Sequence, residues 1–474
     1  MPLIIPSNSI SAGGYEVDNS LRFNDGSSDY LNRTPASASN RKTWTFSAWV
    51  KRGVLDTNCY FFGNYFANND SSQLYLGFNT SNQLRLSDFN NTSFLAVTNQ
   101  VFRDVSAWYH IVLAFDTTQG TSTNRWKIYV NGEQITSFAS SIYPSLNADT
   151  SINTAQNHFI GYVNVGGYIY DGYMSEVILV DGQALDPTSF GEFDADTGIW
   201  KPIDVSGLTF GTNGYYLDFK NSGSLGADVS GNGNNFTVNN LTSVDQSTDT
   251  PTNNFSTMSE LITQYTDGSG VTYSQGNLNI NYGGSYGYSF GGFQVSQGKW
   301  YWEGKVISMS GSYQGTGFGF QDMENLYNPT SPYPINDVYV YGNNGQTRDP
   351  TNGVSSYGNS YTTNNIIGIA MDLDNGYGYF CKNGVWQNSG DPTSGASGTG
   401  AAFPLNPAAT GQFFAPYCAD DSSGTSSVQF SMNFGSPAFT IASSNSDANG
   451  YGNFEYAVPS GYYALCTKNL AEFG

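Results

Sequence analysis

GKWYWEGKV (298–306), GTGFGF (315–320) and NNIIGIAMDLDNGYGYFCKNG (364–384) follow one another along the chain, and their reading decides the fold. In the first string Trp300, Trp302, Gly304 and Val306 alternate with Tyr301, Glu303 and Lys305. That period of two places the apolar set on one face of a β-strand. In the third string Ile367, Ile369, Met371 and Leu373 share a face, Asp374-Asn375-Gly376 supplies a turn, and Tyr377 to Lys382 returns to a second turn at Asn383-Gly384. Asn-Gly favours the positive φ of a type I′ hairpin, which fixes register and therefore which aromatics are buried.

With SVQFSMNFG (427–435) as closing strands, this ordered series resembles the SPRY (B30.2-like) family over about residues 270 to 440. The resemblance implies a β-sandwich used for binding. An earlier series, SLRFNDGSSDYLNRT (20–34), WTFSAWVKRG (44–53), WYHIVLAFDTT (108–118), WKIYVNGEQI (126–135) and DGYMSEVILVDGQALDP (171–187), resembles the LamG, or concanavalin A-like, jelly-roll family. Here Trp126, Ile128 and Val130 alternate with Lys127 and Tyr129 and run into Asn131-Gly132, again a strand and hairpin turn. The expected fold class is all-β, two antiparallel sandwiches, with a LamG-like jelly roll at 21–202 and a SPRY-like sandwich at 261–440. Residues 1–20 are read as an attachment segment, 203–260 as a connector arm and 441–474 as an extension packed on a sandwich. Within the arm Leu217, Phe219, Phe236, Val238 and Leu241 are spaced apolar anchors for strands laid on a neighbour; Tyr462, Tyr463 and Leu465 anchor the extension.

Composition agrees with two or three domains: 474 residues, 55 Gly, 15% aromatic and 12% charged, with strand formers punctuated by Gly, Asn, Asp and Ser. The formal charge of −21 repels phosphate backbones and anionic membranes over a Debye length of about 8 Å, so nucleic acid is not an expected partner. No run is apolar for long enough to insert in a membrane as a helix, and the first twenty residues lack the basic start of a secretory signal.

The chemistry-bearing residues are sparse. Cys59, Cys381, Cys418 and Cys466 lack metal-ligand spacing and read as buried free thiols, with a Cys381–Cys418 bridge as the alternative. His110 and His158 stand alone, and His110 reads as an ordinary sheet residue. Jelly-roll glycosidases need two carboxylates flanking one bond. Asp372 and Asp374 fall in a hairpin turn, Glu176 and Asp181 are an odd number apart on one strand, and the E-x-D-x-x-E pattern of glucanases is missing. No enzyme is expected. The LamG resemblance implies calcium as a candidate ion, with oxygen ligands available at Asp116 to Asn124 and Asp171 to Gly172, although the same residues form turns. Trp44, Trp49, Trp108, Trp126, Trp300 and Trp302 read as core.

Long, strand-poor insertions are where binding concentrates. Asp322 to Tyr361 has that character, and Tyr327, Tyr333, Tyr339, Tyr341, Asn343 and Asn344 are its expected ligand-contact residues, with edge covering or a subunit interface as the alternative. Across the whole chain, the order of a short N-terminal segment, LamG-like domain, GNNFTVNN…DTPTNNF connector, SPRY-like domain and ALCTKNL ending resembles virion-associated structural and fibre proteins of marine tailed bacteriophages. That resemblance implies a fibre or capsid decoration on the virion surface, partnered by other virion proteins and by host surface polysaccharide, and a homo-oligomer for which a trimer is the expected state. The alternatives are a decoration without host binding, a SPRY-type protein scaffold and a glycan depolymerase.

Overall fold

The computed structural model describes residues 14–65, 73–88, 90–163, 167–262, 264–265, 270–283, 287–311, 313–323, 338–350, 352–405, 412–421 and 428–474. The chain divides at Thr252/Asn253 into two compact units, each a pair of antiparallel sheets closed over an apolar core.

In the first unit two eight-stranded sheets face one another. One runs Glu133–Gln134, Trp126–Val130, Trp108–Asp116, Thr43–Arg52, Gly172–Asp181, Ser20–Phe23, Gln246–Ser247, with Tyr215–Leu217 also on Gly172–Asp181. The other runs Phe138–Ile142, Leu95–Val101, Gln83–Ser87, Gln73–Phe78, Cys59–Tyr65, His158–Ile160, Tyr30–Arg33, Thr237–Asn239. The alternation read from the sequence is the inner-face pattern, with Trp126, Ile128 and Val130 in the core; Trp44, Phe46, Ala48 and Val50 of the same sheet join them there, meeting Phe61, Phe62, Leu74, Leu76 and Phe78 of the facing sheet. Trp44 stacks on Phe115 with ring centroids 4.9 Å apart. At Glu176 the register slips between Ser175 and Ile178, and this non-glycine residue takes φ +50°, a β-bulge in a central strand.

Residues 203–252 pack inside this unit, so its boundary lies some fifty residues beyond the expected 202. Leu217, Phe219, Phe236 and Leu241 are buried in the same core, whereas Val238, in the edge strand Thr237–Asn239, faces outward. The N-terminal residues from Gly14 are held here too: Val17 N–H donates to Thr252 Oγ1 (3.0 Å), and Ser20 opens a strand. Residues 1–13 of the proposed attachment segment lie outside the described residues.

The second unit pairs a seven-stranded sheet (Gln264–Tyr265, Gly287–Phe290, Phe414–Asp420, Gly317–Asp322, Val338–Gly342, Gln346–Asp349, Gly353–Ser356) with a nine-stranded one. The latter is built around Lys299–Ser308, which pairs Ile366–Asp372 and Val428–Asn433. Trp300, Trp302, Val306, Ile367, Ile369, Met371 and Leu373 all enter one core. Gly304 leaves room for the Phe318 ring, which a Cβ there would meet at 2.3 Å. Asn383 (φ 49°) and Gly384 (φ 79°) form the I′-type turn that their sequence requires. The C-terminal stretch lies on the same sheet. Tyr463 and Ala464 pair in parallel with Trp300 and Tyr301, Leu465 is buried, and a short helix, Thr467–Phe473, stacks Phe473 on Tyr463 at 3.7 Å. The four cysteines are free and buried, as their strand contexts indicate.

Among the described residues, the buried Lys51 is held by a carboxylate partner. Lys51 is fully buried in strand Thr43–Arg52, its Nζ 2.7 Å from Asp249 Oδ2, while Trp108 Nε1 donates to Asp249 Oδ1 at 2.9 Å. Breaking such a pair strands a charge in low dielectric. Asp249→Ala is expected to cost about 3–5 kcal/mol, read as an earlier denaturant transition of the first unit with the second unit's transition unmoved. Trp302→Ala is expected to cost about 3–5 kcal/mol in the second unit through lost burial and a cavity, measured in the same denaturation series.

Candidate functional site

Two described members of the expected contact surface, Tyr341 and Asn343, are buried in the second sandwich, which corrects their assignment as exposed contacts, whereas Tyr339 and Asn344 are half-buried. Tyr341 is fully buried in strand Val338–Gly342, its hydroxyl donating to Asn359 O and its carbonyl accepting from Tyr361. Tyr339 is half-buried against Phe320 and Phe403. Asn343 is buried, accepting from Tyr313 N–H (2.6 Å) and donating to Gly311 O (3.0 Å), and Asn344 closes a turn onto Gln346 N–H. The physical reason is already in V-Y-V-Y-G, whose period of two makes residues 338–342 a strand and not part of a loop. Tyr327 and Tyr333 lie outside the described residues.

A concave aromatic site instead lies on the outer face of the first unit's second sheet. In strands Cys59–Tyr65, Gln73–Phe78 and Gln83–Ser87, the core takes Phe62, Leu74, Leu76, Phe78, Leu84 and Leu86. Tyr60, Tyr75 and Arg85 therefore point the other way. Register sets Tyr60 opposite Gly77 and Gly77 opposite Arg85, so a row of three strands reads Tyr, Gly, Arg. Gly77 lets the Tyr60 ring lie close over the sheet: a Cβ there would meet Tyr60 Cδ1 at 2.7 Å and the Cys59 carbonyl at 2.3 Å. Tyr168, from the short hairpin Tyr162–Val163/Tyr168–Ile169, and Asn58 complete a cavity of about 180 Å³. Tyr60 meets Tyr75 edge-on at 4.9 Å and Tyr168 at 5.6 Å. Burial pushes the Tyr60 hydroxyl up to about 12 against the opposing Arg85 charge, and burial likewise raises Tyr75. Both hydroxyls stay protonated at neutral pH and can donate. Arg85 is oriented by Asn91 Oδ1 (2.7 Å). The lining presents the Tyr168 ring, tyrosine hydroxyls, an amide and a guanidinium, with Tyr60 and Tyr75 themselves buried at 3% and 6% exposure. Its signal was legible in QLYLGF and QLRLS, where Tyr75 and Arg85 fall out of phase with the leucines.

The groups considered for catalysis are arranged for other work. Trp200 Nε1 donates to His110 Nδ1 (2.9 Å), which leaves Nε2 as the protonated nitrogen facing Ser47 Oγ at 2.9 Å. The proton thus points from histidine to serine, the reverse of what a nucleophilic serine needs. Burial lowers His110 to about 3 and His158 to about 4, keeping both neutral. Asp372 pairs with Lys299 at 2.9 Å and caps Asn375, while Asp374 accepts from Gly298 N–H. Asp181 accepts from Asn213 N–H and Asn153, whereas Glu176 bonds Tyr216 (2.6 Å) and Tyr15 (3.2 Å).

For calcium, partial burial pulls the Asp116 carboxyl upward, but hydrogen bonds from Thr118, Gln119 and Thr43 overcome it and hold the group below the ordinary range. Its oxygens are occupied by these donors, and Asp171 is buried. Among the described residues, no three His, Cys, Asp or Glu side chains group closely enough to hold a metal ion.

Residues 25–188 match the family described as the concanavalin A-like lectin/glucanases superfamily. No curated protein matches the sequence. Similar solved structures include the SPRY domain of human HERC1 (15% identity, 37% of this chain and 96% of that one, TM-score 0.27). A putative carbohydrate binding protein from Bacteroides ovatus is similar at 17% identity, over 48% of this chain and 59% of that one, with TM-score 0.32. A SAP-like pentraxin from Limulus polyphemus is similar at 15% identity, over 36% and 78%, with TM-score 0.26.

Glu176 yields a pH dependence. Burial raises its carboxyl from 4.5 to about 7, opposed by hydrogen bonds from Tyr216 and Tyr15; Asp218 adds to the rise and Lys220 counters it. Between about 4.5 and 7 the folded state holds a proton that the unfolded chain releases, so stability falls as pH rises through this window. Glu176→Gln keeps the acceptor for Tyr216 without the charge. Its melting temperature is expected to exceed the wild type's at pH 8 and to converge with it below pH 4.5.

Proposed function

We propose that the protein is a non-enzymatic, lectin-like binding protein whose first unit holds a saccharide in the Tyr60–Tyr75–Tyr168–Arg85 pocket, and that it is displayed on a virus particle to engage host envelope polysaccharide. The observation that carries the binding reading is the pocket itself: three tyrosines, one guanidinium, one amide and Val163 around a cavity on the sheet face turned away from the core. Pyranose rings offer an apolar C–H face for stacking and hydroxyls for hydrogen bonds, and this lining answers both. The concanavalin A-like match over residues 25–188, which contain every residue of the pocket, supports the same reading. Particle display rests on the sequence layout alone. There, many copies would compensate weak single-site affinity through avidity.

The test is adsorption of fluorescently labelled protein to candidate host cells with and without competing envelope polysaccharide. Saturable binding that the polysaccharide removes is expected. Tyr75→Ala and Tyr168→Ala should each weaken it by roughly tenfold, about 1.4 kcal/mol, with melting of the Tyr168→Ala variant unchanged. Folded, oligomeric wild-type protein that adsorbs to no cell would overturn the lectin reading in favour of a purely particle-building role.

A further inference from the structure

A second cleft opens on the opposite sheet of the first unit, at the margin where the loop 184–186 passes beside strands Trp108–Asp116 and Trp126–Val130. Its volume is about 310 Å³, and Asp116, Asn124, Lys127, Tyr129 and Asp186 dominate its lining. Ala114 sits opposite Lys127 in the register and forms part of the floor, its small side chain leaving the depth open.

The polar groups here divide into used and unused. Asp116 is saturated by Thr118, Gln119 and Thr43. Asp186 spends Oδ1 on Thr188, whose N–H lies 2.9 Å away, and leaves Oδ2 to solvent. The Lys127 ammonium, the Asn124 amide and the Tyr129 hydroxyl make no hydrogen bond to the described residues. Tyr129 is half-buried against the outer-face cluster of Val112, Ile178 and Phe190, so its ring is a fixed platform. The Asp186 charge acts on its hydroxyl.

We infer that this cleft is a second saccharide site, specific for a neutral sugar presenting a vicinal diol. A hydroxyl both donates and accepts. A carboxylate oxygen, an ammonium and an amide lining one cleft can therefore together serve two adjacent hydroxyls, while the Tyr129 ring takes the apolar sugar face. The aromatic pocket differs, having a guanidinium and no carboxylate. The first unit is then bivalent, with one site on each outer face, and can bridge two segments or chains of a polysaccharide.

This inference rests on the glycan-binding reading, and affinity electrophoresis separates the two. Full-length wild type, Asp186→Asn, Tyr129→Ala, Tyr75→Ala and the Asp186→Asn/Tyr75→Ala double variant are run through native gels containing mannan, dextran, xylan or galactan. Asn keeps the cap on Thr188, so Asp186→Asn is the variant that preserves the fold. At least one polysaccharide should retard the wild type, each single variant should be retarded less, and the double variant should run as in a plain gel. If Tyr75→Ala alone abolishes retardation while Asp186→Asn and Tyr129→Ala run as wild type, the second site is overturned and a one-site lectin stands. If none of the four retards folded wild type, both readings fall.

Discussion

The buried Lys51–Asp249 ion pair is the constraint on which the first unit depends. A lysine near the end of a central strand, with no exposed surface, is tolerable only if a carboxylate reaches it, because burial acts to strip its charge. The carboxylate comes from 198 positions further along. Everything between must therefore return over the sheet before the unit is complete: Asp249 accepts Trp108, its carbonyl accepts Ser20, and Arg22 donates to Val244 O. This requirement explains why the segment after residue 202 is part of the sandwich. The second unit follows the same rule with a lone carboxyl group. Glu303, fully buried in Lys299–Ser308, is satisfied by Tyr301, Asn433 and the N–H groups of Glu455 and Tyr456. In each unit an ionisable group on an early central strand recruits a late stretch of chain.

Strands with long alternating patterns were legible. Trp300 to Val306, Ile367 to Leu373 and Trp126 to Val130 bury the residues that the period of two selects. Residues 203–252 were less so, because their strands are only two or three residues long and side chains do much of the joining. Asp228 accepts from Tyr216 and Asn234 N–H groups, and Asn234 donates to Thr212 and Gly214. Such Asn- and Asp-based turns have the composition of a flexible linker, and only the buried partners distinguish them. The bulge at Glu176 was invisible for a related reason: nothing local marks a glutamate for positive φ, and the bulge is apparent only once the neighbouring strands are in register.

The candidate site shows where pattern reading ends. Which face Tyr75 and Arg85 occupy follows from the leucines beside them. That Tyr60, Gly77 and Arg85 form one row depends on inter-strand register, and the register of Cys59–Tyr65 shifts between Tyr60 and Phe62. Phe61 and Phe62 are adjacent in sequence yet both enter the core. Conversely, tyrosine density drew attention to residues 327–344, where Tyr341 and Asn343 work as internal braces. Aromatic content marks a site only when the rings enclose a gap, as Tyr60, Tyr75 and Tyr168 do together with Asn58, Arg85 and Val163.

Charge then narrows the ligand. With 38 acidic against 17 basic residues, the protein's field opposes approach of a polyanion, and that opposition extends about a Debye length, roughly 8 Å, in physiological salt. Arg85 acts at shorter range, inside a pocket whose lining has no carboxylate, so it can complement an electron-rich sugar oxygen after contact but cannot reverse the long-range repulsion. An uncharged polysaccharide pays no such penalty on approach. It also suits the opposite cleft, where Asp186 would repel an anionic sugar and Lys127 alone would have to offset both Asp186 and Asp116. If both proposed sites bind saccharide, a neutral polymer is thus the ligand class that suits both outer faces of the first unit together, and a polymer, unlike a single sugar, can use two faces at once.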